Sequence, residues 1–553
     1  MKHLLNSTLK RREFLKVAGL GAATLNLSSI FSSCKKNRPS PNIVLIMADD
    51  MGFSDIGCFG GEIDTPNLDR LAANGIRFTR FYNAARCCPT RASLLTGLYS
   101  HQAGMGWMTA ADLGADGYKG EINKNCVTIA EVLRQAGYST YLSGKWHLTA
   151  DKNMKQGGSR DSWPIQRGFD RYFGNLSGGG SYFSPSTMFE DNEAFTPDED
   201  FYYTDAISDN ACSFVKEHFQ QKEDPFFLYV SYTAPHWPLH AKSKDIEKYV
   251  GKYKTGWDDL RKARYEKLQQ MGIISDEWEL SAKPDKIPDW DSLSEQKKEE
   301  MDRRMAVYAA QVDCMDQGIG RLLNTLQQND ALENTVIFFL SDNGGSSELQ
   351  SRGESKATAD IGKAESWESY REPWANASNT PFRTYKRWGH EGGIATPLIV
   401  HWPAGISARG ALRHQTGHVI DLMPTCEQLA NAEYPAEYEG APIIAAEGKS
   451  LVPAFYNREI EREALFWEHN ANRAVTSGDW KLVSFGKKDA PYTTKWELYN
   501  LKKDRTETND LAKNYPEIAE ELASKWQQWA ERANVLPLDG RIWPEKLKNP
   551  TGR

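Results

Sequence analysis

The segment PNIVLIMADDMG, residues 41–52, decides the fold class of this 553-residue chain. Its apolar run over residues 43–48 has no polar interruption, which is typical of a central strand buried on both faces of a sheet. The run ends at Asp49 and Asp50. Because ligand-binding groups gather at the carboxyl ends of strands in open α/β sheets, the segment predicts a parallel strand that delivers two carboxylates to a site.

Asp49 and Asp50 suit a hard divalent cation, because adjacent carboxylates repel each other unless a metal ion or a proton lies between them. The pair is also compatible with an ordinary turn. A second apolar run, residues 336–341, ends in Asp342 and Asn343. Four oxygen donors from two strand ends can therefore converge on one metal ion.

Strand and helix patterns alternate over residues 42–410, which predicts an α/β fold with a large, mainly parallel sheet between layers of helices. Helices are expected after Thr65, which we place as the N-terminal cap with Pro66 at the first helical position, and over residues 128–137. Residues 242–304 are polar and rich in charge, without a core pattern. We expect these residues either to form a helical flap beside the pocket or to be merely part of the protein surface. Further strands are predicted at residues 76–82, 138–143, 225–232 and 397–402.

After residue 410 the pattern changes to short strands with close turns, which predicts a small antiparallel sheet. A helix is expected to follow over residues 516–534. We therefore place a smaller C-terminal α+β subdomain at residues 411–553. Glu468, His469 and Arg473 fall in a strand–turn region that could reach over the pocket. The four predicted strands are residues 464–469, 472–476, 480–485 and 496–500.

Residues 1–33 resemble an export signal: KRREFLK at residues 10–16 is similar to a twin-arginine motif, and a weakly apolar run follows. That run is shorter than the ~20 residues that a membrane-spanning helix needs. The signal ends in FSSC, which resembles a lipoprotein cleavage box. Cys34 would then carry lipid and residues 34–41 would be a tether, although simple cleavage and release is the alternative. The sequence predicts an exported protein, either periplasmic or anchored to the outer membrane as a lipoprotein.

The charge and cysteine content exclude several classes of function. The formal net charge is −7, and removal of residues 1–33 would lower it to −11, because they hold five Lys or Arg and one Glu. We therefore expect no nucleic-acid partner, and contact with a membrane only through a lipid on Cys34. The eight cysteines have no repeating spacing, which argues against a zinc site or a disulfide scaffold and leaves one or two disulfides open. The 17 Trp and 23 Tyr suit glycan contact as well as an ordinary core.

The segment CCPTRASLLTG, residues 87–97, is predicted to be a loop directed by Pro89 into the start of a helix. It brings a thiol and Arg91 to a helix N-terminus. That position favours anions, because free backbone N–H groups and the helix dipole point at it. Taken alone, the Cys87–Cys88 pair is as compatible with a structural role, as a packed thiol or a disulfide partner, as with a functional one.

The Asp-Asp strand end together with residues 87–97 resembles the type I, formylglycine-dependent sulfatases of the alkaline phosphatase superfamily. The resemblance implies that Cys87, not Cys88, is oxidised after translation by a formylglycine-generating maturase, and that the hydrate of the product is the nucleophile. Thr90 stands where serine is more usual, which bears on recognition by the maturase. The metal implied is Ca²⁺, with Asp49, Asp50, Asp342, Asn343 and residue 87 as its ligands.

The same resemblance assigns the cationic and imidazole side chains of the site. Lys145 and Lys386 are implied to contact the sulfate, and Arg91 to hold the modified residue. His147 is implied to hydrogen-bond the formylglycine hydroxyl and to accept its proton. His236, which two prolines flank, is implied to contact sulfate and to donate a proton to the leaving oxygen. The segment around Lys386, residues 379–397, is most similar to the bacterial arylsulfatase-type branch, and His240 is either a substrate-side residue or a structural one.

Three other functions are alternatives to a sulfatase. A phosphonate monoester or phosphodiester hydrolase can share the Cys-x-Pro-x-Arg motif on the same scaffold. A two-zinc phosphatase is disfavoured, because Asn343 stands where an Asp-His pair is expected. A non-catalytic glycan-binding lipoprotein would carry an unmodified Cys87. The sequence predicts a sulfatase for O-sulfated carbohydrates, exo-acting on a sulfated sugar such as galactose, although its motifs select neither the sugar nor the sulfated carbon.

Overall fold

The computed structural model describes residues 40–155, 157–353 and 357–552. The predicted export signal and Cys34 lie outside these residues. Among the helices that it describes, none is long and apolar enough to span a bilayer. The seven cysteines in the described part of the chain are all buried and have free thiols.

An eleven-stranded sheet forms the centre of the fold. Its strands are β1 (Asn42–Ala48), β2 (Ile76–Tyr82), β3 (Ser139–Gly144), β4 (Arg171–Asn175), β5 (Met188–Glu190), β6 (Glu193–Ala194), β7 (Phe226–Ser231), β8 (Thr335–Ser341), β11 (Ala395–His401), β12 (Ala411–Arg413) and β13 (Gly417–His418), while β9 (Ser351–Gly353) and β10 (Ser366–Glu368) form a separate ribbon. The strand order is β12-β2-β11-β8-β1-β7-β3-β4-β5-β6, with β13 also beside β2. The five strands β8, β1, β7, β3 and β4 are parallel, so the predicted fold class is confirmed.

Strand β1 is buried on both faces, as its uninterrupted apolar run predicts. Val44 and Ile46 pack into one hydrophobic cluster, whereas Ile43, Leu45 and Met47 pack into another on the opposite face. All five side chains are at most 1% exposed. Helices cover both faces of the sheet in the way that a parallel sheet requires.

The helices that follow the strands are mostly short. They are α1 (Pro66–Ala73), α2 (Cys87–Thr96), α3 (Ile129–Gln135), α4 (Tyr203–Gln221), α5 (Ser243–Ile246), α6 (Gly256–Gln270), α7 (Glu295–Gln328), α8 (Arg371–Ser378), α9 (Glu391–Ile394), α10 (Leu422–Ala430), α11 (Val452–Phe455), α12 (Pro516–Arg532) and α13 (Trp543–Lys548). Helix α3 begins as predicted, because Thr128 and Glu131 form a reciprocal capping box.

The direction of the strands brings the functional segments to one edge of the sheet. Strand β11 is antiparallel to both β8 and β2, so β2 runs in the same direction as β1 and β8. The segments after β1, β2, β3, β7 and β8 therefore emerge at one edge. The segment before the reversed strand β11 begins at that edge too. This arrangement explains why motifs far apart in the sequence meet in space.

Two predicted helix starts differ in detail from the structure. Thr65 occupies the predicted N-terminal cap position, with Pro66 first in α1, but its hydroxyl oxygen accepts a hydrogen bond from the backbone N–H of Gly57 at 2.9 Å and caps no N–H of α1. Cys87 is the first residue of α2 and not part of a loop before it. Proline is compatible with the first turn of a helix, and Pro89 therefore does not delay the start.

The insertion at residues 242–304 is helical, but the expectation that it lacks a core was wrong. Tyr253, Trp257 and Trp290 are at most 5% exposed. The ring of Trp257 packs edge-on against Trp290 and Trp374, with centroids 4.8 and 5.4 Å away. Aromatic residues that are far apart in the sequence form this core. The insertion lacks the periodic aliphatic residues by which a buried helix is recognised from sequence.

We expect Trp257→Ala to destabilise the protein by about 3–5 kcal/mol, because it removes a fully buried indole and leaves a cavity among aromatic rings. The midpoint of urea-induced unfolding measures this effect. Val250→Ala is the control, since Val250 lies in the same insertion and is 51% exposed. Equal midpoints for the two variants would contradict the assignment of a core to the insertion.

The C-terminal part forms the predicted antiparallel sheet and helix. Strands β16 (Leu465–His469), β17 (Asn472–Ser477), β18 (Trp480–Ser484) and β19 (Glu497–Asn500) pair in that order, and α12 packs on β17. The pair β14 (Glu437–Tyr438) and β15 (Ala441–Pro442) is separate. Strands β12 and β13 lie beyond residue 410 yet pair with β2, so the large sheet includes residues that we assigned to the smaller subdomain.

A buried ion network joins the C-terminal sheet to the segment before β11. The ammonium of Lys481 lies 2.8 Å from Glu391 and 2.8 Å from Glu507, and Arg505 lies 2.7 Å from Glu391. All four side chains are at most 1% exposed. Because breaking a buried ion pair leaves an uncompensated charge, this network fixes the turn at Glu391 against the sheet.

Candidate active site

Ten sequence-predicted side chains lie together at the edge of the sheet where the parallel strands end. Asp49 and Asp50 follow β1, and Asp342 and Asn343 follow β8. Lys145 follows β3, where Gly144 adopts φ 119° and approaches Ser231 so closely that an added Cβ would lie 2.0 Å from its carbonyl oxygen. The remaining members are Cys87, Arg91, His147, His236 and Lys386. Each of the ten is at most 5% exposed.

The oxygen cluster has the composition of a site for a hard cation. The side-chain amide of Asn343 donates to Asp50 Oδ1 at 2.7 Å, and the backbone N–H of Asp50 donates to Asp342 Oδ1 at 3.2 Å. Within the part of the chain that the structure describes, Asp49 Oδ1 and Asn343 Oδ1 are buried without a hydrogen-bond partner. A buried oxygen without a partner is costly, so these two atoms fit ligands of a metal ion.

Three cations surround the three carboxylates. Lys145 Nζ lies 2.5 Å from Asp49, and Lys386 Nζ lies 2.7 Å from Asp50. Arg91 Nη2 lies 2.8 Å from Asp342. The three cations balance the three carboxylates, so a bound divalent cation makes the site net positive. A positive, buried site is suited to an anionic substrate.

Burial and the nearby carboxylate of Asp49 raise the pKa of Asp342 to about 8, against the opposing effect of Arg91. A metal ion at this position would stabilise the charged form of Asp342 instead. The oxygen atoms of this cluster therefore fit a site that binds a cation.

The pKa values of the neighbouring thiols of Cys87 and Cys88 are shifted in opposite directions. A hydrogen bond from Cys88 lowers the pKa of the Cys87 thiol well below its ordinary value against the effect of burial, and Lys145 and His147 lower it further. Burial and the interaction with Cys87 raise the pKa of Cys88. Residue 87 is thus the more reactive of the two positions. The hydroxyl oxygen of Thr90 accepts a hydrogen bond from the backbone N–H of Ala84 at 2.9 Å, so in this fold it stabilises the turn before α2.

The two imidazoles approach the site from different loops. His147 Nε2 lies 3.1 Å from Cys88 Sγ, and the ligand atoms of Cys87, Cys88 and His147 are all within 4.8 Å of one another. His236 Nε2 lies 3.5 Å from Asp50 Oδ2. Burial lowers the pKa of His147 to about 3 and that of His236 to about 4, so both rings are neutral at pH 7.

His236 has a defined tautomer. Its Nδ1 lies 2.5 Å from the carbonyl oxygen of Trp237, and a carbonyl can only accept a hydrogen bond. Nδ1 therefore carries the proton in the neutral ring, and Nε2 is the nitrogen that faces Asp50 and can exchange a proton with a ligand.

Sequence reasoning missed Glu348, Arg86 and Trp237 at the margin of the site. Glu348 lies 2.7 Å from Arg86 and 3.9 Å from Lys386, and it accepts a hydrogen bond from Trp237 Nε1 at 2.8 Å. Burial opposes ionisation of Glu348, but the cations Arg86 and Lys386 lower its pKa. Nothing in the sequence around Glu348 forms a motif, although Arg86 is next to Cys87 and Trp237 is next to His236.

Other predicted residues have internal partners. His240 is fully buried and lies 2.6 Å from the carbonyl oxygen of Ser366, which supports its structural interpretation. Glu468 lies 2.8 Å from His101. The guanidinium of Arg473 stacks over the ring of Trp496 at 4.3 Å. Glu468 therefore joins the C-terminal sheet to the segment after α2, whereas Arg473 packs on Trp496 next to the last strand of that sheet.

Comparison with known proteins agrees with this geometry. A family model described as sulfatase matches residues 41–432, and a model described as N-sulphoglucosamine sulphohydrolase, C-terminal, matches residues 382–532. An uncharacterised sulfatase of Schizosaccharomyces pombe is 33% identical to this chain, with 90% of this chain and 94% of the relative covered. An arylsulfatase of Klebsiella aerogenes is 34% identical, with 79% and 96% covered.

Solved structures share the same architecture. A crystal structure of Ps i-CgsB in complex with k-i-k-neocarrahexaose superimposes with a TM-score of 0.66 at 25% identity. The match covers 92% of this chain and 96% of that one. The chain therefore belongs to the sulfatase family and is a sulfuric ester hydrolase.

Proposed function

We propose that this enzyme hydrolyses sulfate monoesters of carbohydrates through a formylglycine formed from Cys87. The observation that carries the proposal is the position of Cys87, a thiol of lowered pKa at the first turn of α2, beside Lys145 and His147 and next to the oxygen cluster. Two similarities support a carbohydrate substrate: the solved relative binds an oligosaccharide, and the second family model is named for a sulfoglucosamine hydrolase.

The metal proposed for the oxygen cluster is Ca²⁺. Asp49, Asp50, Asp342 and Asn343 would hold it together with the modified residue 87. The four side chains offer oxygen atoms, and two of these, Asp49 Oδ1 and Asn343 Oδ1, have no hydrogen-bond partner among the described residues. This composition fits the preference of Ca²⁺ for six to eight oxygen ligands. The ion would neutralise charge on the sulfate oxygens and favour ionisation of the attacking hydroxyl.

The cations of the chain have distinct tasks. Lys145 and Lys386 contact carboxylates of the oxygen cluster from two sides and would hold the sulfate oxygens between them. Arg91 is fully buried and donates to Asp342, to Ser231 and to Tyr229, the last at 3.3 Å. Its partners lie inside the protein, so Arg91 positions residue 87 and Asp342 and does not bind the substrate directly.

The two neutral imidazoles would move the protons of the reaction. His147 lies beside residues 87 and 88. After one hydroxyl of the hydrated formylglycine attacks sulfur, His147 would accept the proton of the remaining hydroxyl, so that sulfate is expelled and the aldehyde re-forms. His236 offers Nε2 toward the oxygen cluster. Because the neutral ring carries its proton on Nδ1, Nε2 would first take up a proton, which a bound anionic sulfate favours, and would then donate it to the leaving oxygen of the sugar. Protonation would avoid the build-up of negative charge on the leaving oxygen.

A direct test compares the turnover of an aryl sulfate with that of an aryl phosphate diester and an aryl phosphonate. We expect kcat/KM for the sulfate to exceed the other two by at least about 10²-fold. All three substrates carry one negative charge, but only the sulfate monoester presents three unsubstituted oxygens to the cation, Lys145 and Lys386; the other two present two and must fit an additional substituent. A preference for the diester or the phosphonate would favour the phosphonate monoester or phosphodiester hydrolase interpretation. Absence of turnover for all three, with Cys87 unmodified, would favour a glycan-binding protein.

The sugar is proposed more narrowly as a sulfated galactose or a related residue at a chain end. Release of sulfate from a panel of sulfated mono- and disaccharides tests this proposal. Turnover of terminal sulfated galactose is the expected result. Turnover of internally sulfated oligosaccharides alone would contradict exo action.

We further propose that the enzyme is exported and anchored by a lipid on Cys34. In that case Cys34→Ser moves the protein from the membrane fraction to the soluble periplasmic fraction, with kcat unchanged. Equal membrane association of the variant and the native chain would contradict the anchor.

A further inference from the structure

Three consecutive glycines, the triglycine segment (residues 178–180), lie against both imidazole rings of the site. The segment belongs to the connection between β4 and β5. A Cβ added to Gly178 would lie 2.3 Å from both Cε1 and Nε2 of His147. A Cβ added to Gly179 would lie 3.1 Å from Cε1 of His236. A residue with a side chain therefore cannot occupy position 178 unless the ring of His147 moves.

Contact, and not backbone strain, makes glycine necessary at position 178. None of the three glycines has a φ in the left-handed region. An alanine could thus adopt the same backbone conformation. All three nearest neighbours of the added Cβ at position 178 are ring atoms of His147, so the imidazole is the first group that a larger residue would meet.

Hydrogen bonds hold the segment at both of its ends. The side-chain amide of Asn175 donates to the carbonyl oxygen of Ser177 at 2.8 Å. On the other side, the hydroxyl of the fully buried Tyr182 donates to the carbonyl oxygens of Thr233 and His236, at 2.9 and 2.8 Å. These bonds anchor the residues that flank the segment on both sides.

The orientation of the His147 ring depends on the triglycine segment more than that of the His236 ring does. A catalytic imidazole is ordinarily oriented by a hydrogen bond to the ring nitrogen that does not react. His147 Nδ1 is buried and has no hydrogen-bond partner among the residues that the structure describes, whereas His236 Nδ1 is bonded to Trp237. The ring of His147 is therefore held by the contact of Nε2 with Cys88 and by close packing against Gly178, with no hydrogen bond at Nδ1.

We propose that Gly178 is a positioning residue that aims His147 at residue 87, and that Gly179 supports His236 in the same way but more weakly. The proposal rests on the roles proposed above for the two histidines. A hydrogen bond to the ring nitrogen that does not react usually orients a catalytic imidazole. Here packing against the backbone of Gly178 orients the ring instead. The site thus extends to a connection for which the sequence offers no catalytic motif.

Three alanine variants of the segment form a graded series. In Gly178→Ala we expect kcat for an aryl sulfate to fall by about 10- to 100-fold, because small displacements of a catalytic group have effects of this size. The loss should be smaller in Gly179→Ala. Gly180→Ala is the matched control, since a Cβ there meets nothing within 4 Å. KM should change little across the series, because Lys145 and Lys386 do not contact the added methyl groups.

A double-mutant cycle separates positioning from general damage to the fold. In a His147→Ala background the added methyl group meets no imidazole, so Gly178→Ala should lower neither kcat nor the melting temperature any further. The proposal is overturned if Gly178→Ala keeps the native kcat, or if it lowers kcat by the same factor in both backgrounds. If Gly178→Ala does not fold alone, Gly179→Ala decides, and a kcat equal to that of Gly180→Ala overturns the proposal.

The same measurements distinguish this inference from the proposed function. Undiminished turnover by His147→Ala would refute the role of His147 itself. Loss of turnover in His147→Ala combined with a native kcat in Gly178→Ala would leave that role intact and refute only the positioning by Gly178.

Discussion

Cys87→Ala abolishes sulfate ester turnover in this account, with a fall in kcat of about 10⁵-fold, because the variant lacks the only atom from which the nucleophile can be formed. Cys87→Ser should be similarly inactive unless a maturase accepts serine. Binding of substrate should persist, since Lys145 and Lys386 are unchanged. Steady-state assays with an aryl sulfate measure the loss, and equilibrium binding of the substrate checks that the site remains formed.

Cys88→Ala is the matched control for this prediction. The two thiols are adjacent and equally buried, at 1% and 0% exposure, so both substitutions remove a similar volume from the same helix turn. We expect Cys88→Ala to retain substantial activity, with some loss because Cys88 lies beside His147. Equal loss in the two variants would contradict the assignment of residue 87 as the nucleophile.

Removal of the metal ion has the second largest expected effect. Treatment with a chelator should lower kcat by at least about 10³-fold, because the sulfate and the nucleophile lose their shared cation. Calcium should restore the activity. The melting temperature should also rise on addition of Ca²⁺, since a ligand at 100 times its Kd stabilises the native state by about 2.7 kcal/mol. Full activity of a chelated sample that is free of metal would contradict the calcium site.

Two carboxamide variants locate the ion. Asp49→Asn should remove the response of the melting temperature to Ca²⁺, because Asp49 Oδ1 is one of the buried oxygens without a partner. Asp316→Asn should keep that response. Asp316 is also a buried carboxylate, but it accepts hydrogen bonds from the backbone N–H groups of Asn67 and Leu68, away from the site. An equal response in both variants would place the ion elsewhere.

The sequence allowed the centre of the site to be predicted because each component follows a recognisable pattern. The apolar run before Asp49 predicted a central strand, and the polar residues after two such strands predicted a shared edge. The structure brings these residues within hydrogen-bond distance. The rule that strand ends share an edge was sufficient for this step, because uninterrupted apolar runs indicate central strands of a parallel sheet, whose carboxyl ends lie at one edge whatever their order.

The parts that could not be predicted depend on contacts between segments without motifs. Glu348 meets Arg86 and Lys386 only through the fold, and its neighbours in sequence carry no pattern. Gly178 reads as a flexible residue until its distance to His147 is known. The core of the insertion was missed because Trp257 and Trp290 are 33 positions apart and meet Trp374 from another helix.

The mass of the tryptic peptide CCPTR, residues 87–91, from active enzyme tests the central claim most directly. Conversion of Cys87 to formylglycine replaces a thiol-bearing carbon by an aldehyde and lowers the mass by about 18 Da. We expect this lighter peptide in an amount proportional to specific activity, and we expect fragmentation to locate the change on residue 87. Fully active enzyme that yields only the unmodified peptide would contradict the account.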